Sequence, residues 1–253
     1  MAELRRLLIE PQRLPGPGGW LELQRQEQHY LQRVLRLRSG DRFAICDGVG
    51  NLHAAELGAA GQVRQGQTLQ QIARPQPLLT LLAGLLRREQ DTVLRMATEL
   101  GVDRFLPLQA ERSVPEPGER RQERWQSQLR EASEQCERLW LPALLPIQAA
   151  TTALASPEAV GGQRWIAVTR EECAPLLIDE LGSISTTAGE WQLACGPEGG
   201  WSDQERQLAS LHGWRPVSLG SSILRAATAS VAALSLLQMR RQQLNGVSLP
   251  PSL

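Results

Sequence analysis

Residues 191–205 read WQLACGPEGGWSDQE, and this segment predicts how the C-terminal part of the chain is built. An apolar strand, WQLAC, stops at a glycine-rich loop, and a helix is expected from Asp203. Ser202 and Glu205 have the spacing of a capping box, in which each side chain accepts a hydrogen bond from the other residue's backbone N–H. The glycine loop is therefore held at the carboxyl end of a strand, which is where open α/β sheets bind their ligands.

The composition of this glycine loop predicts the kind of ligand. Glycine lets a backbone approach a ligand closely and adopt positive φ. The spacing matches neither G-x-G-x-x-G nor G-x-x-x-x-G-K-[ST], the loops that hold dinucleotides and triphosphates. Glu198, inside the loop, would repel a polyphosphate. A neutral or cationic nucleoside-like ligand fits better, and a tight strand-to-helix turn that binds nothing is the alternative.

A second loop of the same kind occupies residues 217–225, VSLGSSILR. It leads from a predicted strand into a helix that begins at about Ala226 and is rich in alanine, whose small side chain lets backbones pack closely. Loops that follow consecutive parallel strands lie at one sheet edge, so the two loops would form two walls of a pocket. Arg225 would stand at its rim as a cation.

Strand and helix patterns alternate from residue 78 onward. Buried strands are predicted at 78–86, 103–108, 164–169, 191–195 and 215–219, and helices over 91–100, 120–140 and 174–182, from Asp203 and from about Ala226. In the helix 120–140, one apolar stripe carries Trp125, Leu129, Ala132 and Cys136. Such strand-helix units in succession predict an α/β fold with a mainly parallel sheet and helices on both faces.

The N-terminal residues follow a different pattern. Short apolar segments at 4–10, 16–23, 41–48 and 51–58 are separated by turn residues, which predicts a small β domain with a hairpin turn at Asp47-Gly48. One short helix is expected to carry Leu31, Val34 and Leu35 and to end at Gly40. Because two prolines in residues 73–77 interrupt the pattern, we predict domains at 1–73 and 74–246, with a frayed tail at 247–253.

Composition limits the classes of function. The net charge is zero, which argues against a protein that binds nucleic acid through overall positive charge, so any RNA contact must be local. We find no apolar run of about 20 residues and no secretory signal, which predicts a cytosolic protein without a membrane partner. The four cysteines and three histidines are scattered, so no metal site is predicted and the cysteines are expected to be buried free thiols.

The two glycine loops also resemble those of a known family. The pairing of GPEGGWSDQE (196–205) with LGSSILRAATA (219–229) is similar to the last two signature loops of SPOUT-class RNA methyltransferases, specifically the RsmE family of 16S rRNA uridine-N3 methyltransferases. Three further segments resemble family signatures in the same order: QEQHYLQRVLRLRSGDRFAICDGVG (26–50), ATELGVDRFLPLQAERS (97–113) and REASEQCERLWLP (130–142). The resemblance thus covers nearly the whole chain.

The resemblance implies a fold and a reaction. It implies an N-terminal PUA-like β-barrel that docks on RNA, followed by a SPOUT methyltransferase domain whose C-terminal segment is threaded as a trefoil knot. It implies a homodimer that uses S-adenosylmethionine to methylate N3 of a uridine in 16S rRNA of the small ribosomal subunit. The residues matching its cofactor loops are Val168, Thr169, Gly196, Pro197, Glu198, Gly199, Gly200, Leu219, Gly220, Ser222, Ile223 and Leu224.

Other residues are assigned by the same resemblance. Arg225 is the candidate for stabilising negative charge on the uracil during methyl transfer. Candidate RNA contacts come from two sources. Arg33, Arg36 and Arg38, with Arg42 just beyond, form a basic cluster on and after the short helix that could contact phosphates, and Arg112, Ser113, Gln135 and Arg138 lie in the resembling signatures. For the first three, spacing alone favours a solvated helix face, and for the others, ion pairs with neighbouring glutamates are an equal alternative.

The chain departs from the family pattern at several positions. Ser222 stands where arginine is common, and Ala226-Ala227 where Thr-Glu is common; Gln28 replaces the first of two histidines, and Glu137 replaces a glycine. These departures argue against any mechanism that needs a carboxylate at residue 227. The alternatives are a catalytically silent RNA-binding or ribosome-assembly factor, a related SPOUT enzyme acting on another RNA position, and, most weakly, a nucleotide-dependent α/β enzyme.

Overall fold

The computed structural model describes residues 4–157, 161–171 and 173–246, so the predicted tail at 247–253 lies outside the described residues. This part of the chain divides into two compact units. The N-terminal unit comprises residues 4–74 together with Arg130–Leu141. The C-terminal unit comprises Pro75–Leu129 and residues 142–246.

The N-terminal unit contains a five-stranded sheet with the order β1-β3-β4-β5-β2. Its strands are β1 (Arg6–Leu8), β2 (Trp20–Glu22), β3 (Arg42–Cys46), β4 (Asn51–Leu57) and β5 (Gln62–Gln71). The predicted hairpin at Asp47 is confirmed, because β3 and β4 pair antiparallel and Asp47 Oδ1 accepts hydrogen bonds from the N–H groups of Val49 and Asn51. The sequence did not predict β5, whose outer half is polar and exposed and so lacks an apolar alternation.

The helix of the N-terminal unit is shorter than predicted. Helix α1 (Arg25–His29) continues as one π-helical turn over Tyr30–Val34, and Arg36 then adopts a φ of +58°. The prediction that the helix reaches Gly40 was therefore wrong, since a left-handed residue ends it four positions earlier. Leu31 is fully buried as predicted, whereas Val34 is 59% exposed, because the wider π turn rotates it off the buried face.

Residues 130–141 pack within the N-terminal unit. Helix α3 (Glu119–Gln135) stops five residues before the predicted end at Trp140, and Glu137 has a φ of +61°. The left-handed conformation explains why glycine is common at this position in the resembling family. Here Glu137 is held by Arg6, whose Nη2 lies 2.6 Å from Glu137 Oε2.

The C-terminal unit is built on a sheet in which every pairing is parallel, as predicted. The strand order is β12-β10-β11-β6-β7-β8, with β9 also paired to β7. The strands are β6 (Leu78–Gly84), β7 (Arg104–Gln109), β8 (Ala143–Leu144), β9 (Gln148–Ala149), β10 (Gln163–Ala167), β11 (Glu190–Cys195) and β12 (Arg215–Val217). The two-residue strands β8 and β9 were not predicted, because so short a segment has no periodicity.

Helices cover both faces of this sheet, which confirms the predicted layering. One core joins the strands to α2 (Gln90–Glu99), α3, α5 (Leu177–Gly182) and α7 (Ala226–Leu244). The other joins them to α4 (Ala150–Leu154), which was not predicted, and α6 (Asp203–Leu211). None of the helices in the described ranges is long and apolar enough to cross a membrane.

The segment after β12 pairs with an earlier connection of the chain. After β12, Ser218 donates its N–H to the carbonyl of Pro175 at 2.8 Å and accepts from the N–H of Leu177 at 2.9 Å. Helix α7 then packs on α2, α5, β6 and β11. The segment after β12 therefore lies beside the β10–β11 connection.

The cysteines differ in part from the prediction of buried thiols. Cys46 and Cys195 are buried, as predicted, but Cys136 is only half-buried and Cys173 is exposed, so the prediction was wrong for these two. Cys173 lies in the loop between β10 and α5, and loops run over the protein surface.

This difference predicts selective modification of the native protein. Burial raises the pKa of the Cys46 thiol to about 11 and that of Cys195 to about 12, and the thiolate is the reactive form. We expect a maleimide at neutral pH to label Cys173 at once and to leave Cys46 and Cys195 unlabelled, as read by peptide mass spectrometry. Labelling in denaturant is the control, and rapid native labelling of Cys195 would contradict the fold described.

Candidate functional site

The loops after β10, β11 and β12 meet at one edge of the parallel sheet. The three strands are neighbours, so their carboxyl ends lie side by side. The N–H of Val168, just after β10, donates to the carbonyl of Val217 at the end of β12 at 3.0 Å. The structure thus brings together the three segments to which the sequence assigned the cofactor: 168–169, 196–200 and 219–224.

A complete capping box fixes the start of α6. Ser202 Oγ accepts from the N–H of Glu205 at 3.3 Å, and Glu205 Oε2 accepts from the N–H of Ser202 at 2.8 Å. Glu205 is buried, and its second oxygen accepts from the N–H of Glu111 at 2.9 Å. The capping box confirms the sequence prediction, and the bond to Glu111 adds a tether to the loop after β7 that the sequence did not predict.

The glycine loop is packed tightly against its neighbours. A Cβ on Gly84, the last residue of β6, would lie 2.5 Å from the backbone N of Pro197. A Cβ on Gly199 would lie 2.7 Å from Cβ of Arg112. Gly200 has a φ of +70°, which an L side chain rarely adopts, and its N–H donates to the carbonyl of Pro197 at 2.9 Å. Glycine is therefore required at residues 84 and 199 because a Cβ would collide with a neighbour, and at residue 200 because of the positive φ.

Arg112 and Trp201 hold the far side of the glycine loop. Arg112 Nη1 lies 3.4 Å from the carbonyl oxygen of Gly199 and 3.3 Å from that of Trp201. Trp201 Nε1 donates to the carbonyl of Ala167, the last residue of β10, at 3.1 Å. These contacts join loops that are 34 to 89 residues apart in sequence. They place Arg112, a predicted RNA contact, beside the backbone of the glycine loop.

Glu198 lies at the exposed outer side of the loop. Its Oε1 accepts from the N–H of Arg87, in the loop after β6, at 2.9 Å. This bond orients a carboxylate at the sheet edge, next to the glycine backbone. A negative rim repels polyphosphate and favours a cationic ligand.

The second loop, residues 217–225, has open space beside its backbone, whereas the glycine loop at 196–200 is packed against its neighbours. Ser218 Oγ accepts from the N–H of Gly220 at 3.3 Å, and Gly220 has a φ of +122° with open space beside its Cα. Among the other predicted cofactor residues, Thr169, Ser222 and Ile223 are exposed, Leu219 and Leu224 are half-buried and Val168 is buried. The loop therefore offers exposed backbone and side chains rather than a filled core.

Arg225 is the N-cap residue of α7. Its carbonyl accepts from the N–H of Ala229 at 2.8 Å, which fixes its backbone, while its side chain is exposed and makes no capping bond. The guanidinium can therefore change its conformation at the sheet edge without disturbing the helix. This position suits the role that the sequence assigned to Arg225.

The other predicted RNA contacts are divided between the two units. Ser113, half-buried in the C-terminal unit, donates its hydroxyl to the carbonyl of Ala110 at 2.9 Å. Five belong to the N-terminal unit: Arg33, Arg36, Arg38 and Gln135 are exposed, and Arg138 is half-buried. For Arg33, Arg36 and Arg38, both alternatives, RNA contact and a solvated helix face, agree with their exposure.

Sequence reasoning missed several residues that shape the site. Gly84, Trp201 and the N–H of Glu111 were not assigned, although each contacts the glycine loop or its cap. Only Gly84 left a signal, as a glycine that ends an otherwise bulky buried strand. The other two act through partners distant in sequence.

Comparison with known proteins agrees with this geometry. Residues 74–238 match the model of an RNA methyltransferase domain, and residues 23–62 match an RNA methyltransferase PUA domain. Ribosomal RNA small subunit methyltransferase E of Synechocystis sp. is 39% identical over 236 residues, covering 91% of this chain and 76% of the relative. The enzyme of the same name from Mycobacterium bovis is 28% identical over 230 residues, covering 87% of each chain.

A solved structure extends the comparison to the fold. The crystal structure of ribosomal RNA small subunit methyltransferase E from Neisseria gonorrhoeae, bound to S-adenosyl methionine, superposes with a TM-score of 0.80 at 28% identity. It covers 94% of this chain and 98% of the other. The resemblance recognised in the signature loops is thereby confirmed. The chain belongs to the RNA methyltransferase family and, within it, to the ribosomal RNA small subunit methyltransferase E group.

Proposed function

We propose that this protein transfers a methyl group from S-adenosylmethionine to N3 of a specific uridine in 16S rRNA of the small ribosomal subunit. The observation that carries the proposal is the meeting of three loops, 168–169, 196–200 and 219–224, at one sheet edge beside Arg225. The named relatives, one of them solved with S-adenosyl methionine, support the same reaction class.

The residues at this edge fit the cofactor. Gly200 and Gly220 have open space where a side chain would stand, so their backbone can approach the adenine and ribose closely. The Glu198 carboxylate suits a ligand that carries a positive sulfonium. Bound there, S-adenosylmethionine would supply an electrophilic methyl group.

The protein's own groups then have three tasks. They must hold the uracil in line with the methyl group, lower the cost of losing the N3 proton, and stabilise negative charge on the uracil oxygens. Arg225 is the residue we assign to the third task, because its guanidinium is exposed at the edge and its backbone is fixed. Residue 227 is alanine, so no carboxylate at that position takes part.

The remaining assignments complete the proposal. Residues 1–73 would form the RNA-docking PUA-like domain and residues 74–246 the methyltransferase domain. Two copies would form a homodimer in the cytosol, and the RNA contacts would include Arg33, Arg36, Arg38, Arg112, Ser113, Gln135 and Arg138. The exposure of Arg33, Arg36, Arg38 and Gln135 supports this role, as does the position of Arg112 beside the glycine loop.

The test is methyl transfer to small subunits isolated from cells that lack the endogenous enzyme. Labelled S-adenosylmethionine and purified protein are mixed with the subunits, and the RNA is digested to nucleosides. We expect labelled 3-methyluridine. A protein that binds the cofactor but methylates no nucleoside would instead be a silent assembly factor, and label in another nucleoside would assign a different target position.

A glycine substitution tests the cofactor site separately. In the Gly84→Ala variant the new methyl group meets Pro197, so the glycine loop must shift. Overpacking of this kind costs about 1–3 kcal/mol, and we expect the Kd for S-adenosylmethionine, measured by calorimetry, to rise about 5- to 100-fold. The matched control is Gly182→Ala, where a Cβ meets nothing within 4 Å. Equal affinities for both variants and the parent would place the cofactor elsewhere.

A further inference from the structure

A row of side chains crosses the outer face of the N-terminal sheet. Arg42 of β3 lies opposite Glu56 of β4, which lies opposite Arg64 of β5, which lies opposite Trp20 of β2. Directly opposed residues of neighbouring strands project on the same face. All four are exposed, whereas the alternate residues Phe43, Val63 and Leu21 are buried in the core. The row therefore faces solvent across four strands.

A groove of about 280 Å³ lies along this row. We call it the outer groove, and its lining includes Arg42, Ala54, Glu56, Arg64 and Gly66. Beside the charged residues the groove is lined by small ones, and a Cβ on Gly66 would lie 2.9 Å from Cβ of Ala54. The groove thus combines charged side chains with short ones.

Trp20 stands beside the groove as an exposed aromatic platform. Its side chain rests on Gly58, where any Cβ would collide with the ring, yet 52% of the residue remains exposed. An indole fixed by packing loses little conformational freedom when a flat group stacks on it. Nucleobases stack on such rings whatever their sequence.

The charges beside the groove are available to a ligand. Among the ion pairs of the described residues, none involves Arg42 or Arg64, although Glu56 lies between them. Arginine pairs its planar fork with phosphate oxygens. Two unpaired guanidinium groups and an exposed indole are the elements that bind the backbone and bases of a single-stranded nucleic acid.

We propose that the outer groove binds an unpaired nucleotide segment of the substrate RNA, with a base on Trp20 and phosphates at Arg42 and Arg64. The inference rests on the proposed function for the identity of the RNA. It adds Trp20 and Arg64 to the candidate RNA contacts and gives Arg42, at the edge of the predicted basic cluster, a defined role. It also explains how a chain of zero net charge holds RNA locally.

The experiment measures the affinity of the full-length protein for small subunits that lack the modification, over a range of salt concentrations. Trp20→Ala should raise the Kd about 5- to 100-fold and leave the salt slope unchanged, since stacking releases no counterions. Arg64→Gln should raise the Kd and reduce the slope of log K against log salt by about 0.7, the value for one phosphate contact on a single strand. Glu56→Gln should lower the Kd about 2- to 5-fold, because it removes a repulsive charge.

Controls separate these effects from damage to the fold. Leu69→Ala removes an exposed apolar side chain of β5 that is not part of the row, and it should keep the Kd within twofold of the parent. The affinity for S-adenosylmethionine should be the same for all variants, and methyl transfer should show a raised KM for subunits with kcat unchanged. A defect in the fold would not lower the Kd of Glu56→Gln. Nor would it reduce the salt slope of Arg64→Gln alone.

Two results would overturn the inference. If Trp20→Ala and Arg64→Gln bind subunits within twofold of the parent, the outer groove does not contact RNA. If Trp20→Ala weakens binding while Arg64→Gln leaves the salt slope unchanged, the groove contacts a ribosomal protein instead. Failure of the proposed function is distinct, because the parent itself would then form no 3-methyluridine, whatever the variants bind.

Discussion

Arg225→Ala is expected to lower kcat for methyl transfer by roughly 100- to 1,000-fold, the usual cost of removing one donor that stabilises developing negative charge. The structure gives the reason for expecting the loss in kcat rather than in cofactor affinity. The Arg225 backbone caps α7 and would do so equally well in alanine, while the lost side chain is exposed and makes no capping hydrogen bond. The measurements are single-turnover methyl transfer to small subunits and calorimetric binding of S-adenosylmethionine.

Two companion variants sharpen this prediction. Arg225→Lys keeps the charge but loses the planar fork, so an intermediate rate is expected. Arg95→Ala removes an exposed arginine of α2 that pairs with Glu99 at 2.7 Å, and its activity should equal that of the parent. If Arg225→Ala retains more than half of the parental kcat, another group must stabilise the uracil charge.

Loss of the buried arginine of α7 should have the largest effect on stability. Arg241 Nη1 lies 2.5 Å from Asp103 Oδ2, and both side chains are buried. The same guanidinium donates to the carbonyls of Pro77 at 3.2 Å and Gly101 at 2.8 Å. Arg241→Ala would leave the Asp103 charge buried without this partner, so the free energy of unfolding should fall by about 3–5 kcal/mol, as read from urea denaturation.

The source of that loss can be tested by changing both partners. Replacing a buried ion pair by apolar residues is often neutral, because the desolvation cost disappears with the charges. The double variant Arg241→Met with Asp103→Leu should therefore be more stable than Arg241→Ala. Arg95→Ala is again the control, and a surface pair of this kind should contribute less than about 1 kcal/mol. A change below 1 kcal/mol for Arg241→Ala would show that the pair does not anchor α7.

The contacts of Arg241 also fix the position of α7 within its unit. Arg241 lies near the end of α7, and the groups it binds precede β6 and β7 in the same unit. The helix that begins at the site with Arg225 is thus fixed at its other end. Variants at Arg241 should reduce methyl transfer only in proportion to the unfolded fraction.

Local patterns predicted much of the architecture correctly. The capping box at Ser202, the start of α7 at Ala226 and the parallel order of strands and helices follow from residues that are close in sequence. Where the prediction failed, a single residue in an uncommon conformation ended the helix, as Arg36 and Glu137 do with positive φ. Neither arginine nor glutamate signals such a conformation, whereas glycine would have done so.

By itself, then, the sequence determined which segments carry the chemistry, because glycine spacing, caps and apolar periodicity act over a few residues. Only the tertiary structure decided how these segments touch: Gly84 against Pro197, Arg112 on the carbonyl of Gly199, and Ser218 beside Pro175. The outer groove likewise exists only because β2, β3, β4 and β5 are aligned in register. Contacts of this kind depend on packing and hydrogen bonds between residues far apart along the chain, and such pairs leave no periodic trace in a single sequence.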